Sequence, residues 1–191
     1  MIRLQRPSST QIGALLSGCD APFSYPEIGA TADADALGRI ARDYYVDRHR
    51  FALGTGRALL ERARAALFAW RHFEIPWLAL EGGAAPAAPG QVVATLARVA
   101  GIWFLNPCRV VYAEESAFAY GTLPGHVERG EERFAIRYDS VSEQVYYEIT
   151  AFSRPAALLA QLGLPFARRT QKRFAASSGE ALRRAVRASG S

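Results

Sequence analysis

The sequence has little cysteine and no long apolar run, and each shortage excludes a class of protein. Its two cysteines, Cys19 and Cys108, stand far apart and fit no CxxC or zinc pattern. We therefore predict free thiols and a cytoplasmic chain. No segment approaches the roughly 18 uninterrupted apolar residues of a membrane helix. The N-terminal MIRLQRPSST has basic residues without an apolar run behind them, so it does not resemble a secretory signal.

Short motifs that would indicate a reaction are missing as well. The 191 residues contain no GxSxG element, no P-loop and no dinucleotide-binding fingerprint. The three histidines do not share a helical spacing, which argues against a zinc site. We predict no metal and no cofactor, and the sequence does not by itself establish an enzyme. Half of the residues are hydrophobic and 21% are charged, which together with the length predicts one globular domain over 1–191.

The net charge of +5 is concentrated near the C-terminus. After Pro155, seven basic residues stand against a single acid, Glu180, so this segment carries +6 and the rest of the chain −1. Such a segment can attract nucleic acid or an anionic membrane surface, or it can form the solvated face of a helix. Aromatic residues do not interleave with the arginines beyond Phe166 and Phe174, so specific nucleic-acid binding is not expected. Any such binding should be weak and indifferent to base sequence.

Hydrophobic periodicity predicts an α+β chain. SSTQIGALLSG predicts a short helix, and a turn-rich segment follows it; together they form an N-terminal region over 1–40 that packs on the main body. DYYVDRHRFALG predicts a first strand, and GRALLERARAALFAWRHF predicts a helix. From PWLALEG onward the period changes to two, which predicts about six antiparallel strands with one dry face.

A final helix is predicted after Pro155. Apolar residues recur at multiples of four in SRPAALLAQLGLPFARRTQKRF, which predicts a helix over 155–176 that Pro165 kinks or divides. Residues 177–191 are expected to form a disordered tail. The dry face of the sheet needs a cover, and this helix is the only predicted element of sufficient length. We therefore predict a curved antiparallel sheet wrapped around a long C-terminal helix.

This order of elements resembles the helix-grip fold of the START-like superfamily, which includes birch pollen allergen, polyketide cyclases and lipid-transfer domains. Members of that superfamily generally hold apolar ligands in a cavity between sheet and helix. The resemblance therefore implies a cavity of this kind, although a fold by itself does not establish a function.

Several short motifs resemble a narrower family, the domain-of-unknown-function family 1990, whose uncharacterised members occur in bacteria and plants. The resemblance covers nearly the whole chain, and YGTLPGH is its most specific part. Val127 stands where the family pattern has proline. The resemblance implies no established activity. The motifs are Tyr25-Pro26-Glu27-Ile28-Gly29, Leu53-Gly54-Thr55-Gly56, the Trp70 region, Tyr120-Gly121-Thr122-Leu123-Pro124-Gly125-His126 with Glu128, Gly130-Glu131-Glu132-x-Phe134 and Ala151-Phe152-Ser153-Arg154-Pro155.

The stretch YGTLPGHVERGEERF, residues 120–134, has the densest polar chemistry of the chain. Its glycines and proline favour a turn between two strands, so a structural hairpin is the first interpretation. The histidine also allows a binding role at a cavity mouth or an acid–base role. We expect His126 to be partly exposed, with Glu128, Glu131 or Arg109 within hydrogen-bonding reach of it or of the mouth.

The first functional hypothesis is binding of a small hydrophobic or amphipathic molecule between the sheet and the C-terminal helix, with polar groups at the mouth orienting it. One alternative is a cyclase- or hydrolase-type enzyme in which His126 and a glutamate exchange protons. Another is a weak nucleic-acid or membrane-surface binder that uses the basic segment. The sequence does not indicate an oligomeric state. The candidate ligand-binding residues are Trp70, Trp103, Arg109, Tyr120, His126, Glu128, Glu131 and Tyr147.

Overall fold

Strands and helices follow one another along the chain in the order that the periodicity predicts, with more helix at both ends. A computed structural model describes residues 1–17, 20–156 and 164–189. The helices are α1 (Ser9–Ser17), α2 (Ala34–Ile40), α3 (Arg57–Phe68) and α4 (Leu164–Ala188), with short 3-10 helices at Ala30–Ala32 and Arg71–Phe73. The strands are β1 (Ile2–Arg3), β2 (Tyr45–Thr55), β3 (Leu78–Glu81), β4 (Val92–Val99), β5 (Ile102–Glu114), β6 (Ala117–Thr122), β7 (Glu128–Tyr138) and β8 (Gln144–Pro155).

These strands form one antiparallel sheet that curls into a half-barrel. Seven of them lie in the order β2-β8-β7-β6-β5-β4-β3, so that from β3 to β8 each strand pairs with its neighbour in the chain. The first long strand, β2, closes the order by pairing with β8. The short β1 pairs with β5. The predicted antiparallel meander is therefore confirmed.

Helix α4 covers the concave face of the sheet. Its buried residues Ala175, Ser178, Leu182 and Val186 recur every three or four positions, as expected for the face of a helix that meets a core. Ala175, Leu182 and Val186 join a core cluster that includes residues of α3 and of the inner face of the sheet. The predicted curved antiparallel sheet around a long C-terminal helix is confirmed.

Two predictions about this last helix are wrong. Ser153 to Pro155 belong to β8, because the ladder with β7 continues as far as the pair Pro155–Glu128. The helix therefore does not begin at Pro155. Residues from 177 to Ala188 are helical instead of disordered, because apolar side chains such as Leu182 and Val186 are buried against the core. Pro165 is the second residue of α4, and the division of the helix predicted near Gly163 falls on 157–163, outside the described residues.

The N-terminal region packs on the outer, convex face of the sheet. Ile12 of α1 contacts a cluster formed by Leu96 and Leu105 of β4 and β5. Tyr25 and residues of α2 form a second cluster with Phe152 of β8. Helix α2 lies partly in the segment that the sequence indicated to be irregular, and it was missed because turn-forming residues surround it. Both faces of the sheet are thus covered. Cys108 is a buried free thiol, and Cys19 lies outside the described residues.

Candidate functional site

Strand alternation decides which side chains face helix α4. Successive residues of a strand point to opposite faces, and direct partners on neighbouring strands share a face. On β7, Phe134 lies in the core beneath α4, so Glu132, two residues earlier, points to the same concave face. Tyr120 on β6 and Ala151 on β8 are the direct partners of Glu132. Glu131 points the other way, to the outer face.

Polar side chains gather where the N-terminal part of α4 crosses the sheet. Gln171 donates its amide N–H groups to both carboxylate oxygens of Glu128, at 2.7 and 2.8 Å, and to the Ser153 hydroxyl at 3.1 Å. Arg168 donates from both terminal nitrogens to the carboxylate of Asp47, with 2.7 Å between Nη2 and Oδ1. These contacts hold α4 to the sheet. We call the residues around them the polar pocket, which comprises Asp47, Tyr120, Glu128, Glu132, Ala151, Ser153, Arg168, Gln171 and Phe174.

Glu132 is the carboxyl group that lies deepest in the polar pocket. The Tyr120 hydroxyl donates to its Oε2 at 2.7 Å, and no other described residue donates to it. Desolvation raises the pKa of Glu132 to about 7, repulsion from Glu128 and Asp47 adds to the rise, and the Tyr120 hydrogen bond opposes it. The side chain nevertheless keeps some accessible surface. Glu132 is therefore a largely enclosed carboxyl group that solvent still reaches.

Aromatic rings form the floor of the polar pocket. The centre of the Tyr120 ring lies 5.2 Å from that of Phe134 and 6.2 Å from that of Phe73. The ring centres of Phe73 and Phe174, a residue of α4, are 5.4 Å apart. Behind Phe73 and Phe134 lies His72, which is fully buried and has no hydrogen-bond partner for either ring nitrogen among the described residues. Burial lowers the pKa of His72 to about 3, so the ring is neutral at physiological pH. The pocket thus combines an apolar floor with an acidic rim.

Four of the eight predicted site residues lie on the concave side of the sheet. Tyr120 and Glu128 belong to the polar pocket, as described above. Tyr147 is fully buried beside it, and its hydroxyl group lies 2.8 Å from that of Ser178 on α4. Trp70 packs deeper in the core, where its indole N–H donates to the Ala85 carbonyl at 3.1 Å. Trp70 is therefore a core residue and not part of the pocket.

Strand alternation places three of the predicted ligand-binding residues, Trp103, Arg109 and Glu131, on the outer face of the sheet, opposite to helix α4. The Arg109 guanidinium lies 4.4 Å from the centre of the Phe23 ring, which belongs to the N-terminal region. Trp103 packs against the cluster beneath α1 and carries the Arg6 guanidinium 5.6 Å from its ring centre.

His126 orders the turn that leads into β7. Its Nδ1 accepts the backbone N–H of Glu128 at 2.9 Å, and its own backbone N–H donates to the Leu123 carbonyl at 3.1 Å. The side chain is partly exposed, and the expected hydrogen bond to Glu128 is made by the backbone. Burial, followed by repulsion from the Met1 ammonium group, lowers the pKa of His126 to about 3. The Glu128 carboxylate binds Gln171, so within the described residues no hydrogen bond joins the His126 ring to a glutamate side chain.

Glu131 anchors the N-terminal segment on the outer face. Its Oε2 accepts from the Tyr25 hydroxyl and from the Gly29 N–H, both at 2.7 Å. Its Oε1 accepts from the Thr31 N–H at 3.1 Å and from the Thr31 hydroxyl. Two of the quoted motifs, Tyr25–Gly29 and the segment around Glu131, therefore meet in one buried contact whose role is structural.

Gly121 allows Tyr25 to reach Glu131. A Cβ atom at Gly121 would lie 2.1 Å from the Tyr25 hydroxyl oxygen and 2.9 Å from a Phe23 ring atom. We expect Gly121→Ala to lower the free energy of unfolding by about 2 kcal/mol, measured by urea denaturation, because Tyr25 must move away. The control is Gly13→Ala on α1, where a Cβ meets nothing within 4 Å; it should change stability by no more than about 1 kcal/mol. Equal stabilities of the two variants would contradict this role.

The sequence interpretation missed seven of the nine polar pocket residues, although one local signal was present. Phe134 and Ile136 mark the dry face of β7, and continuing this alternation backward places Glu132 on that face. No comparable local pattern connects Asp47, Ser153 and Gln171 with it, since their contacts join distant parts of the chain.

The described residues contain neither a cluster of metal ligands nor a membrane-spanning helix. In residues 1–17, 20–156 and 164–189, no three histidine, cysteine, aspartate or glutamate side chains converge closely enough to hold a metal ion. Over the same residues, no helix combines the length and the apolar character needed to cross a membrane.

Comparison with known sequences identifies the family. The family model described as Domain of unknown function (DUF1990) matches residues 24–181. The chain belongs to this family. Among relatives of this DUF1990 protein, a UPF0548 protein of Dictyostelium discoideum is 31% identical, with 97% of this chain and 96% of the relative covered. A UPF0548 protein of Arabidopsis thaliana is 34% identical, with 96% and 97% covered.

Solved structures similar to this DUF1990 protein share its fold at low sequence identity. The Zhui aromatase/cyclase of a Streptomyces species has a TM-score of 0.57 at 13% identity, with 75% of this chain and 94% of that chain covered. The protein TTHA0849 of Thermus thermophilus has a TM-score of 0.55 at 12% identity, with 78% and 99% covered. A norcoclaurine synthase point mutant of Thalictrum flavum, in complex with a transition state analogue, has a TM-score of 0.54 at 9% identity, with 78% and 97% covered. The likeness establishes a helix-grip fold.

Proposed function

We propose that this DUF1990 protein binds a small amphipathic molecule in the polar pocket. The observation that carries the proposal is the environment of Glu132, which is enclosed by protein, partly accessible and placed beside an aromatic floor. An apolar floor supplies affinity by removing apolar surface from water, and a few polar groups at one side orient the molecule. Similarity of fold to an aromatase/cyclase and to a norcoclaurine synthase is consistent with this use of the concave face.

The two alternative hypotheses have less support. The enzyme hypothesis relied on His126 as a proton donor or acceptor, but its Nδ1 is occupied by a backbone N–H and its imidazole stays neutral. The hypothesis of a basic surface relied on the arginines after Pro155. Arg173 stacks on Trp77 with 4.5 Å to the ring centre, and Arg184 donates to the Glu74 carbonyl, so part of this charge is used within the chain.

Filling the pocket tests the proposal. Ala151 is small, half-buried and opposite Glu132, so a tryptophan at this position would occupy the space beside the carboxyl group. The probe is N-phenyl-1-naphthylamine, a neutral amphipathic dye whose fluorescence rises in apolar surroundings. We expect the protein to bind this dye and Ala151→Trp to weaken binding by at least about tenfold, because the contact area is lost.

The matched control is Thr150→Trp, which places the same side chain on the opposite face of the same strand. This control should leave dye binding within about twofold, since additive effects are expected for sites that share no contacts. Circular dichroism melting curves establish that both variants fold, and Ala151→Leu replaces Ala151→Trp if the latter does not. Absence of dye binding, or equal binding by both tryptophan variants, would overturn the proposed site.

A further inference from the structure

The polar pocket holds more negative charge than the protein itself neutralises. Three carboxyl groups, those of Asp47, Glu128 and Glu132, interact electrostatically with one another there. Arg168 is the cation bound to this group, and both of its terminal nitrogens are committed to Asp47 while its guanidinium stacks on Tyr45. The other two carboxyl groups therefore have no cation in direct contact among the described residues.

Neutral donors hold Glu128 and Glu132 instead. Glu128 receives the Gln171 amide and Glu132 receives the Tyr120 hydroxyl. Burial raises the pKa of Glu128 above its usual range, as it does for Glu132. The Arg168 charge lowers the pKa of Glu128, but burial outweighs it. A buried carboxyl group without a cation in direct contact carries an unfavourable desolvation free energy, which a positive charge placed beside it would offset.

Other parts of the chain do not supply that charge. Residues 156–167, which precede the pocket-facing part of α4, contain no charged side chain in the sequence. On α4, Arg169 and Lys172 are exposed. His72 and His126 are neutral at physiological pH because burial lowers the pKa of each. The other titratable side chains on the concave face of the described sheet are those of Tyr45, His49, Cys108, Tyr120, Tyr138 and Tyr147.

We propose that the ligand of the polar pocket is an amphipathic amine, whose protonated nitrogen binds the Glu132 carboxylate while its apolar part lies on the rings of Tyr120, Phe134 and Phe174. This inference rests on the proposed function and adds the charge of the ligand to it. An ammonium group donates up to three hydrogen bonds and interacts favourably with aromatic faces, which matches an acidic rim above an aromatic floor. A carboxylate or phosphate in the same place would be repelled by both glutamates.

Three probes with the same ring system but different charges distinguish the effect of ligand charge on affinity from the effect of ligand shape. They are 1-naphthylmethylamine, 1-naphthalenemethanol and 1-naphthoic acid, titrated at pH 8, where Glu132 is mostly ionised and the amine is mostly protonated. We expect the amine to bind at least about tenfold more tightly than the carboxylate, with the alcohol between them. Glu132→Gln, which keeps the shape of the side chain, should weaken amine binding by about tenfold and alcohol binding by less than about twofold.

The control variant is Glu114→Gln, since Glu114 is exposed and pairs with Arg133 on the outer face; it should alter neither affinity. Calorimetry in two buffers of different ionisation enthalpy adds an independent measurement at pH 7. Amine binding should release protons from Glu132 there, and the release should disappear in Glu132→Gln.

The outcomes distinguish the two proposals. If the dye and all three naphthyl compounds fail to bind, the pocket itself is wrong. If the alcohol binds as tightly as the amine and Glu132→Gln changes neither, the pocket is an apolar site and the amine proposal is overturned. Tighter binding of the carboxylate would overturn it as well.

Discussion

Replacing Glu131 by alanine is expected to lower the free energy of unfolding by about 4 kcal/mol, the largest loss that we expect from a single substitution. The two oxygens of Glu131 accept hydrogen bonds from the Tyr25 hydroxyl, the Gly29 N–H and both donors of Thr31. Tyr25 and Thr31 are buried, so alanine would leave their donors without partners and without water. The loss should appear in urea denaturation followed by circular dichroism.

The same substitution should release the N-terminal segment locally. Limited proteolysis is expected to cleave within residues 24–44 of Glu131→Ala faster than in the wild-type protein, because that segment depends on this contact. Tyr25→Phe is the matched control, since it removes one donor and leaves the carboxylate in place; it should cost about 1 kcal/mol. If Glu131→Ala were no less stable than Tyr25→Phe, the anchoring role would be refuted. Dye binding at the polar pocket, on the opposite face of the sheet, should be retained in both variants.

The fold was predictable because its main signal is local. Apolar and polar residues alternate with a period of two in the strands from β3 to β8. One long helix with an apolar face follows these strands in the chain. The boundary between β8 and that helix was not predictable in this way. Ser153 and Pro155 form a good helix start by local preference, but pairing with β7 extends the strand to Pro155. Tertiary pairing overrides the local preference here.

The sequence analysis named Glu128 and Glu131 as candidates in the stretch 120–134 but did not name Glu132. Glu131 and Glu132 are adjacent, so they face opposite sides of the sheet, and a choice between them is a choice between the outer anchor and the inner pocket. The dry-face pattern of Phe134 and Ile136 selects Glu132 without any structure. What the sequence does not contain is the set of partners. Tyr25 lies 106 residues before Glu131, and Gln171 lies 43 residues after Glu128.

The basic segment shows the same limit. The number of basic residues can be read from the sequence, but which of them bind other residues of the same chain cannot. Arg168 binds Asp47, 121 residues earlier, and Arg183 donates to the Ala52 carbonyl, 131 residues earlier. A charge count therefore overstates how much positive charge is free to meet an outside partner.

Acidification is expected to weaken the wild-type protein relative to a His72→Phe variant. Burial lowers the pKa of His72 to about 3 in the folded protein, whereas the unfolded chain takes up the proton near pH 6.5. Between these values the unfolded state binds a proton that the folded state does not. The neutral ring of folded His72 therefore supports stability above pH 6.5, and this support is lost as the pH falls toward 3.

The expected difference is large enough to measure. From pH 7 to pH 4 the wild-type protein should lose about 3 kcal/mol of unfolding free energy relative to His72→Phe, since the slope is about 1.4 kcal/mol per pH unit below 6.5. Urea denaturation of both proteins at pH 7, 6, 5 and 4 measures it. At pH 7 the variant should be about as stable as the wild type or more so, because phenylalanine removes two buried nitrogens without partners.

Taking the difference between the two proteins is necessary because other groups titrate over the same range. The pKa of Glu132 is raised to about 7, so this carboxyl group favours the folded state as the pH falls, opposite to His72. His126 behaves like His72 and is present in both proteins. Phe118→Leu alters the aromatic cluster around His72 without removing a titratable group, so its difference from the wild type should not vary with pH. A constant difference for His72→Phe as well would show that the folded protein protonates or hydrates His72, and the ring would then not lie in a dry core behind the pocket floor.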